Sequence, residues 1–239
     1  MFVISHATPF VLAEIDTVEV GNRLACINTY KAAPGPDGLP NWLLRDFVPY
    51  LCEPLAVIFN ASIHEGFIPL IRKSAEVIAV PKIPRPRSIQ TNLRPISLLP
   101  TVAKVLESFI SGWLQSVLEP SLDDKQYGCR PSRSTTHALM AIMHEWQSTL
   151  DRGGAVRALL IDFKKTFDLV NHNLLLQKLL SKNVPHCLIN WFYSYLDHRM
   201  QRVQMANECS EWLQLNVAMS QGSWLGPCVE CDVKPYTLT

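Results

Sequence analysis

Residues 156–168 read VRALLIDFKKTFD, a short apolar run that leads directly into a polar turn. The run at 156–163 predicts a buried β-strand, because its length and apolar content suit a strand that is covered on both faces. Asp162 would then lie at the end of that strand, where a rigid backbone can hold its carboxylate in a cleft. Such a carboxylate suits Mg²⁺, a hard cation that prefers oxygen ligands. The alternative is an aspartate that only caps the next turn.

Downstream of this stretch the pattern predicts two helices and two strands. Residues 171–182 and 185–198 have helical character, and residues 201–205 and 212–219 alternate as strands do. The sequence then reads SQGSWLGP at residues 220–227. Because glycine has no Cβ, Gln221-Gly222 exposes a backbone that a nucleotide or a template strand could approach closely.

Upstream, a basic loop lies between two apolar segments. Residues 75–80 and 93–99 are β-prone, and residues 82–92 between them contain prolines and cations. This arrangement predicts a β-hairpin with residues 82–92 at its exposed tip. Between residues 72 and 94 the sequence contains one acidic residue, Glu76, and six basic residues: Arg72, Lys73, Lys82, Arg85, Arg87 and Arg94. A cluster of this kind predicts either a binding surface or merely a solvated one.

The remaining segments are mainly helical. Apolar residues recur at the helical period in 101–118, and residues 134–150 form a second amphipathic pattern. Shorter helices are predicted at 17–29, 41–47 and 53–64, separated by turn signals such as Pro and Gly. No internal repeat or linker interrupts the chain, so the element order predicts an α+β fold in one continuous unit.

Bulk composition excludes several classes of protein. The chain has 239 residues, 48% of them apolar, and a formal net charge of only +1. Its seven cysteines lack paired spacing, which favours reduced thiols in an intracellular protein, cytoplasmic or nuclear, over a disulfide framework. No apolar run approaches the ~18 residues that span a membrane. The amino-terminal residues lack a basic segment, so no signal peptide is expected.

The motifs gain specificity from their order along the chain. They are KAAPGPDGLPNWLL (31–44), LRPISLL (93–99), QYGCRPSRST (126–135), DFKKTFD (162–168) and SQGSWLGP (220–227). Together with the apolar strand before Lys82, this series resembles the reverse transcriptases of LINE-like (non-LTR) retrotransposons. The resemblance extends from about residue 10 to residue 227.

The resemblance implies a right-hand polymerase fold. Residues 1–151 would form a fingers-like part and residues 152–227 an incomplete palm, with the thumb absent and residues 228–239 a divergent tail. The implied reaction is nucleotidyl transfer by two Mg²⁺ ions, with an RNA template, a DNA primer and dNTPs as partners and no membrane involved.

The resemblance also implies roles for individual residues. Asp162 matches the first metal-binding carboxylate. The backbone carbonyl of Phe163 would assist in binding the metal, and the Phe167 ring would exclude nucleotides with a 2′-hydroxyl. Lys82 and Arg94 would contact the triphosphate of the nucleotide. Gln221 and Gly222 would lie along the template and the incoming nucleotide.

The chain also departs from the family pattern. No Asp-Asp pair follows Asp168, although the family carries its second metal carboxylate there. Ser220 stands where the family usually has proline, and Trp224 where it has a smaller aliphatic residue. We therefore expect a truncated domain that is inactive by itself. The alternative is a non-catalytic nucleic-acid-binding module that retains the fingers.

Overall fold

The computed structural model describes residues 12–30, 35–88, 92–162, 167–205, 208–215 and 217–226. Several predicted features lie outside the described residues: Phe163, residues 89–91 of the basic loop, and the tail at 228–239. The side chain of Phe167 also lies outside them. The helices of the described part are α1 (Thr17–Ala25), α2 (Asn41–Asp46), α3 (Val48–Glu65), α4 (Thr101–Leu118), α5 (Thr135–Asp151), α6 (His172–Ser181) and α7 (His186–Leu196). The strands are β1 (Ser74–Pro81), β2 (Leu93–Leu98), β3 (Arg199–Met205), β4 (Glu208–Cys209) and β5 (Leu213–Leu215).

These strands form one mixed sheet in the order β2-β1-β3-β4, with β5 also paired to β3. β1 and β2 are antiparallel, with Pro81 opposite Leu93, so the predicted hairpin is confirmed. β1 and β3 are parallel, and Glu76 lies directly opposite Arg202 in their register. The Arg202 Nε donates a hydrogen bond of 3.0 Å to Glu76 Oε1, and this pairing favours the observed register.

The hydrophobic core lies among the helices. Buried side chains from α1, α3, α4, α6 and α7 form one continuous cluster. Leu24, Phe59, Ile110, Leu114 and Phe192 are among its fully buried or nearly fully buried members. The apolar period of α4 thus faces this cluster, as the sequence predicts, and the mixed helix and sheet content agrees with the α+β expectation. The cluster and the β1–β3 pairing both cross residue 151, so the described residues on the two sides of that position share a sheet and a core.

Helix α5 differs from the others because none of its residues is buried. Its amino terminus is capped by Ser134, whose hydroxyl accepts a hydrogen bond from the His137 N–H at 3.3 Å. Leu139, Met140 and Met143, on its apolar side, are exposed. The pattern at 134–150 thus predicts the helix correctly, but the described residues do not bury its apolar side.

The predicted strand at 156–163 is wrong for the residues that the structure describes. Residues 154–162 contain no strand, and no described strand pairs with them. Leu159 and Leu160 are 85% and 92% exposed, and Ile161 is also exposed. A β-strand exists only when another strand satisfies its backbone groups, and an apolar run does not specify that partner. No helix in the described part of the chain is long and apolar enough to cross a lipid bilayer.

Candidate functional site

The Gln221-Gly222 turn lies against the free edge of strand β2. The Ser97 N–H donates a hydrogen bond of 2.8 Å to the Gln221 carbonyl oxygen. Gly222 has φ of +132°, and a Cβ at this position would lie 2.7 Å from the Ser97 carbonyl oxygen. Only glycine accommodates both the positive φ and the close backbone approach. The close backbone approach at Gly222 is thus made by strand β2, and the predicted approach of a nucleotide or template to this turn stays a prediction.

The same strand carries Arg94, which is exposed. Arg94 precedes Ser97 by three residues, about 10 Å along a strand. In the hairpin register Arg94 lies opposite Val80, and the Lys82 N–H donates to the Asn92 carbonyl at 2.8 Å. Because side chains alternate between the faces of a strand, Arg94 and Lys82 belong to the same face of the hairpin. The structure therefore joins the turn and the two predicted cations through one strand.

The tip of the hairpin is held by a single amide side chain. The Asn92 Oδ1 accepts hydrogen bonds from the N–H groups of Arg87 (3.2 Å) and Ser88 (3.0 Å). Lys82, Arg85, Arg87 and Arg94 take part in none of the salt bridges found among the described residues. The four cations thus have no carboxylate partner in the described part of the chain.

A buried polar network holds the other side of the turn. Glu107, on α4, is completely buried and accepts hydrogen bonds from the Ser223 hydroxyl at 2.8 Å and the Trp224 N–H at 3.0 Å. The Tyr195 hydroxyl, on α7, lies 3.0 Å from both Glu107 Oε1 and Ser223 Oγ. The Leu225 N–H donates to Ser223 Oγ at 3.0 Å. Each polar atom of this network therefore has a partner inside the protein.

Arg199 extends the network to the first residue of the motif. This buried guanidinium donates to the Tyr195 carbonyl at 3.2 Å and to the Ser220 hydroxyl at 3.4 Å. It also lies 4.4 Å from the centroid of the Tyr195 ring, a cation–π distance. Ser220, which departs from the family pattern, thus supplies an acceptor that a proline side chain lacks.

Burial dominates the protonation behaviour of this network. Burial raises the pKa of Glu107. The charge of Arg199 and the hydrogen bonds from Ser223, Tyr195 and the Trp224 N–H act in the opposite direction and lower this pKa, but by less than burial raises it. Burial likewise raises the pKa of the Tyr195 hydroxyl, so tyrosine stays protonated at neutral pH. Three donors and a nearby guanidinium all suit a carboxylate that accepts hydrogen bonds.

Asp162 is not joined to this site by any contact in the described residues. Its carboxylate is exposed, and none of the hydrogen bonds or ion pairs found among the described residues includes it. The described part of the chain contains no group of three or more His, Cys, Asp or Glu side chains that could hold a metal ion. The predicted roles of Asp162, Phe163 and Phe167 stay predictions.

Sequence reasoning missed the buried network. Glu107 interrupts the buried side of α4, where Ala103, Ile110 and Leu114 precede and follow it at helical spacing. A carboxylate in an apolar helical stripe is the signal that could have identified it, because such a group needs buried donors. Arg199 and Tyr195 gave no comparable signal.

Comparison with known proteins identifies the class of this protein. The family model for reverse transcriptase (RNA-dependent DNA polymerase) matches residues 80–230, more than half of the chain. The chain therefore belongs to the reverse transcriptase family. Members of this family generally use divalent metal ions.

Individual relatives narrow the class to polymerases of mobile elements. The chain is 30% identical over 199 residues to the probable RNA-directed DNA polymerase from transposon BS of Drosophila melanogaster, covering 82% of this chain and 22% of that protein. It is 26% identical over 226 residues to the probable polymerase from transposon X-element of the same fly, covering 94% and 24%. It is 28% identical over 218 residues to the polymerase from its mobile element jockey, covering 90% and 24%. The resemblance to LINE-like (non-LTR) retrotransposon polymerases is thus confirmed, and the chain spans about a quarter of the length of these relatives.

Proposed function

We propose that this chain is part of an RNA-directed DNA polymerase of a non-LTR retrotransposon. In this proposal the β1–β2 hairpin and the Gln221-Gly222 turn bind the incoming dNTP and the RNA template with its DNA primer. Residues 1–151 act as fingers and residues 152–227 as part of a palm. The observation that supports the proposal most is the hydrogen bond between Ser97 and Gln221, because it ties the turn to the strand that carries Arg94.

The charges of the hairpin fit a polyphosphate ligand. Lys82 and Arg94 belong to one face of the hairpin and form no salt bridge with a described carboxylate. A cation that has no carboxylate partner can exchange its counterion for a phosphate oxygen, which makes nucleic-acid affinity depend on salt. Gly222 lets the turn lie in direct backbone contact with β2, the strand that carries Arg94. Both features suit a nucleotide that lies over the hairpin and the adjoining turn.

In the proposed mechanism Asp162 contributes one carboxylate to a Mg²⁺ site. Mg²⁺ would activate the primer 3′-hydroxyl and stabilise charge on the phosphates. The 239 residues contain no adjacent pair of aspartates after Asp168 that could supply a second metal carboxylate of the family type. We therefore propose that the 239-residue polypeptide by itself does not carry out nucleotidyl transfer, although it retains the binding surface.

Binding of a 5′-overhanging RNA template annealed to a DNA primer tests the proposal. Replacing Arg94 or Lys82 by alanine should weaken binding and lower the slope of log K against log salt by about one unit each. Arg152→Ala is the matched control, because this arginine is exposed and, among the described residues, its side chain donates hydrogen bonds to Ser148 near the end of α5. Equal losses from all three variants would refute a specific role for the hairpin.

A second candidate function is a non-catalytic nucleic-acid-binding module, since the hairpin cations without a described carboxylate partner would serve it without metal chemistry. Both candidates predict binding of the template–primer, but they differ in the response to dNTP. A polymerase domain should bind the complementary dNTP more tightly than a mismatched one in the presence of template–primer. A module that binds only the sugar-phosphate backbone of the nucleic acid should bind the complementary and the mismatched dNTP alike.

A further inference from the structure

The buried carboxylate of Glu107 holds the motif at 220–227, which follows β5, at several points. Two of its donors, the Ser223 hydroxyl and the Trp224 N–H, belong to the segment that continues directly from Gln221-Gly222. Ser97 holds the Gln221 carbonyl from the opposite side. The turn is therefore fixed between the edge of β2 and the middle of α4, and a rotation of the turn would break buried hydrogen bonds.

Stability alone does not account for a charged network at this position. A buried ion pair costs desolvation, and well-packed apolar residues of similar volume are often equally stabilising or more so. A hydrogen-bonded network instead specifies one geometry, since each donor must point at its acceptor. Glu107 is completely buried, so it cannot itself contact a ligand. Its effect on a ligand must pass through the backbone that it holds.

We infer that Glu107 is a positioning residue, which orients the Gln221-Gly222 turn for contact with the template and the incoming nucleotide through its bonds to Ser223 and Trp224. This inference rests on the proposed function, because it assumes that the turn meets a nucleotide. It assigns to α4, a helix remote in sequence from the motif, a role in substrate binding. It also explains why the segment after the turn has a serine whose hydroxyl is buried.

The test compares three variants with a surface control. Glu107→Gln keeps an acceptor for the Trp224 N–H, and Glu107→Ala removes it. Ser223→Ala removes the hydroxyl that contacts Glu107, Tyr195 and the Leu225 N–H but leaves the acceptor of the Trp224 N–H in place. Glu53→Gln, at an exposed position on α3, is the control for the loss of one carboxylate. Protein labelled with ¹⁵N-tryptophan reports amide exchange at Trp224 and, as an internal reference, at Trp113 within α4.

Glu107→Ala should accelerate exchange of the Trp224 amide by about tenfold or more, because the buried acceptor of its hydrogen bond is lost. Exchange at Trp113 should remain unchanged, which separates a local effect from general unfolding. Affinity for dNTP on a template–primer should fall by about tenfold or more as the turn loses its orientation. The salt dependence of template–primer binding should stay constant, because Lys82 and Arg94 are intact. Glu107→Gln should restore most of both losses.

Two results would overturn the inference. One is an unchanged Trp224 exchange rate in Glu107→Ala, and the other is faster exchange with unaltered dNTP affinity. If Glu107→Ala does not fold, Glu107→Gln and Ser223→Ala decide the same question with smaller changes of the same sign. If the unsubstituted chain binds no dNTP or template–primer, the proposed function fails and the substrate role fails with it, whereas Trp224 exchange still decides whether Glu107 holds the turn.

Discussion

Replacing Gly222 by alanine would place a methyl group where the structure leaves no space for it. The new Cβ would lie 2.7 Å from the Ser97 carbonyl oxygen, and a backbone atom of a paired strand cannot move aside as a flexible side chain can. Alanine at φ of +132° is also strained. Such backbone strain costs about 1–3 kcal/mol. Relief of the clash would lengthen the bond between Ser97 and Gln221, which is worth about 1 kcal/mol.

The two effects together give a loss of about 2–4 kcal/mol in the free energy of unfolding. For a chain of this length 1 kcal/mol corresponds to about 2–4 °C in Tm, so a loss of 3 kcal/mol lowers Tm by about 6–12 °C. Urea unfolding followed by circular dichroism measures the free energy, and calorimetry measures Tm. If the turn instead separates from β2 to avoid the clash, stability falls less but dNTP binding is lost.

Gly112→Ala is the matched control. Gly112 lies inside α4, and a Cβ built there meets no atom within 4 Å. Alanine at a helix interior should therefore stabilise the protein by up to about 1 kcal/mol. A Gly222→Ala variant that keeps both the stability and the dNTP affinity of the unsubstituted chain would refute the account of this turn.

Three further outcomes are expected. Burial raises the pKa of Glu107 in the folded state above its ordinary 4.5, so its stabilising contribution is present below pH 4.5 and is lost as pH rises through the folded-state pKa. Over that window, urea titrations should show Glu107→Gln losing less stability than the unsubstituted chain, by up to about 1.4 kcal/mol per pH unit. Parallel curves of stability against pH for the two proteins would contradict this prediction. Leu160→Ser should change the free energy of unfolding by less than about 0.5 kcal/mol, since Leu160 is 92% exposed. Leu114→Ala, at a fully buried position, should instead lower the free energy of unfolding by about 2–5 kcal/mol. A large loss of stability in Leu160→Ser would show that Leu160 is packed against other residues. The 239-residue polypeptide with Mg²⁺, dNTPs and template–primer should extend no primer above background, and extension that disappears in Asp162→Ala would show that a second carboxylate is supplied from elsewhere.

Local pattern was sufficient for most individual elements. The helix at 101–118 and the segments that became β1 and β2 were predictable because apolar period, proline positions and turn residues act over a few residues. The basic tip between the two strands was predictable for the same reason. The order of the motifs along the chain was also enough to identify the reverse transcriptase family. These features require no knowledge of which segments meet in space.

Pairing between distant segments was decided only by the tertiary structure. The apolar run at 156–161 has a strand-like sequence, but the described chain provides no partner for its backbone, so the sequence alone could not decide between a strand and an exposed segment. Likewise, nothing local in Glu107 indicates that its donors come from Ser223 and Trp224, more than 110 residues away. The parallel pairing of β1 with β3 across a helical crossover is a further example. Sequence by itself determines periodicity, turns and family, whereas burial of a polar group and the choice of a strand's partner depend on which surfaces remain available once the helices have packed.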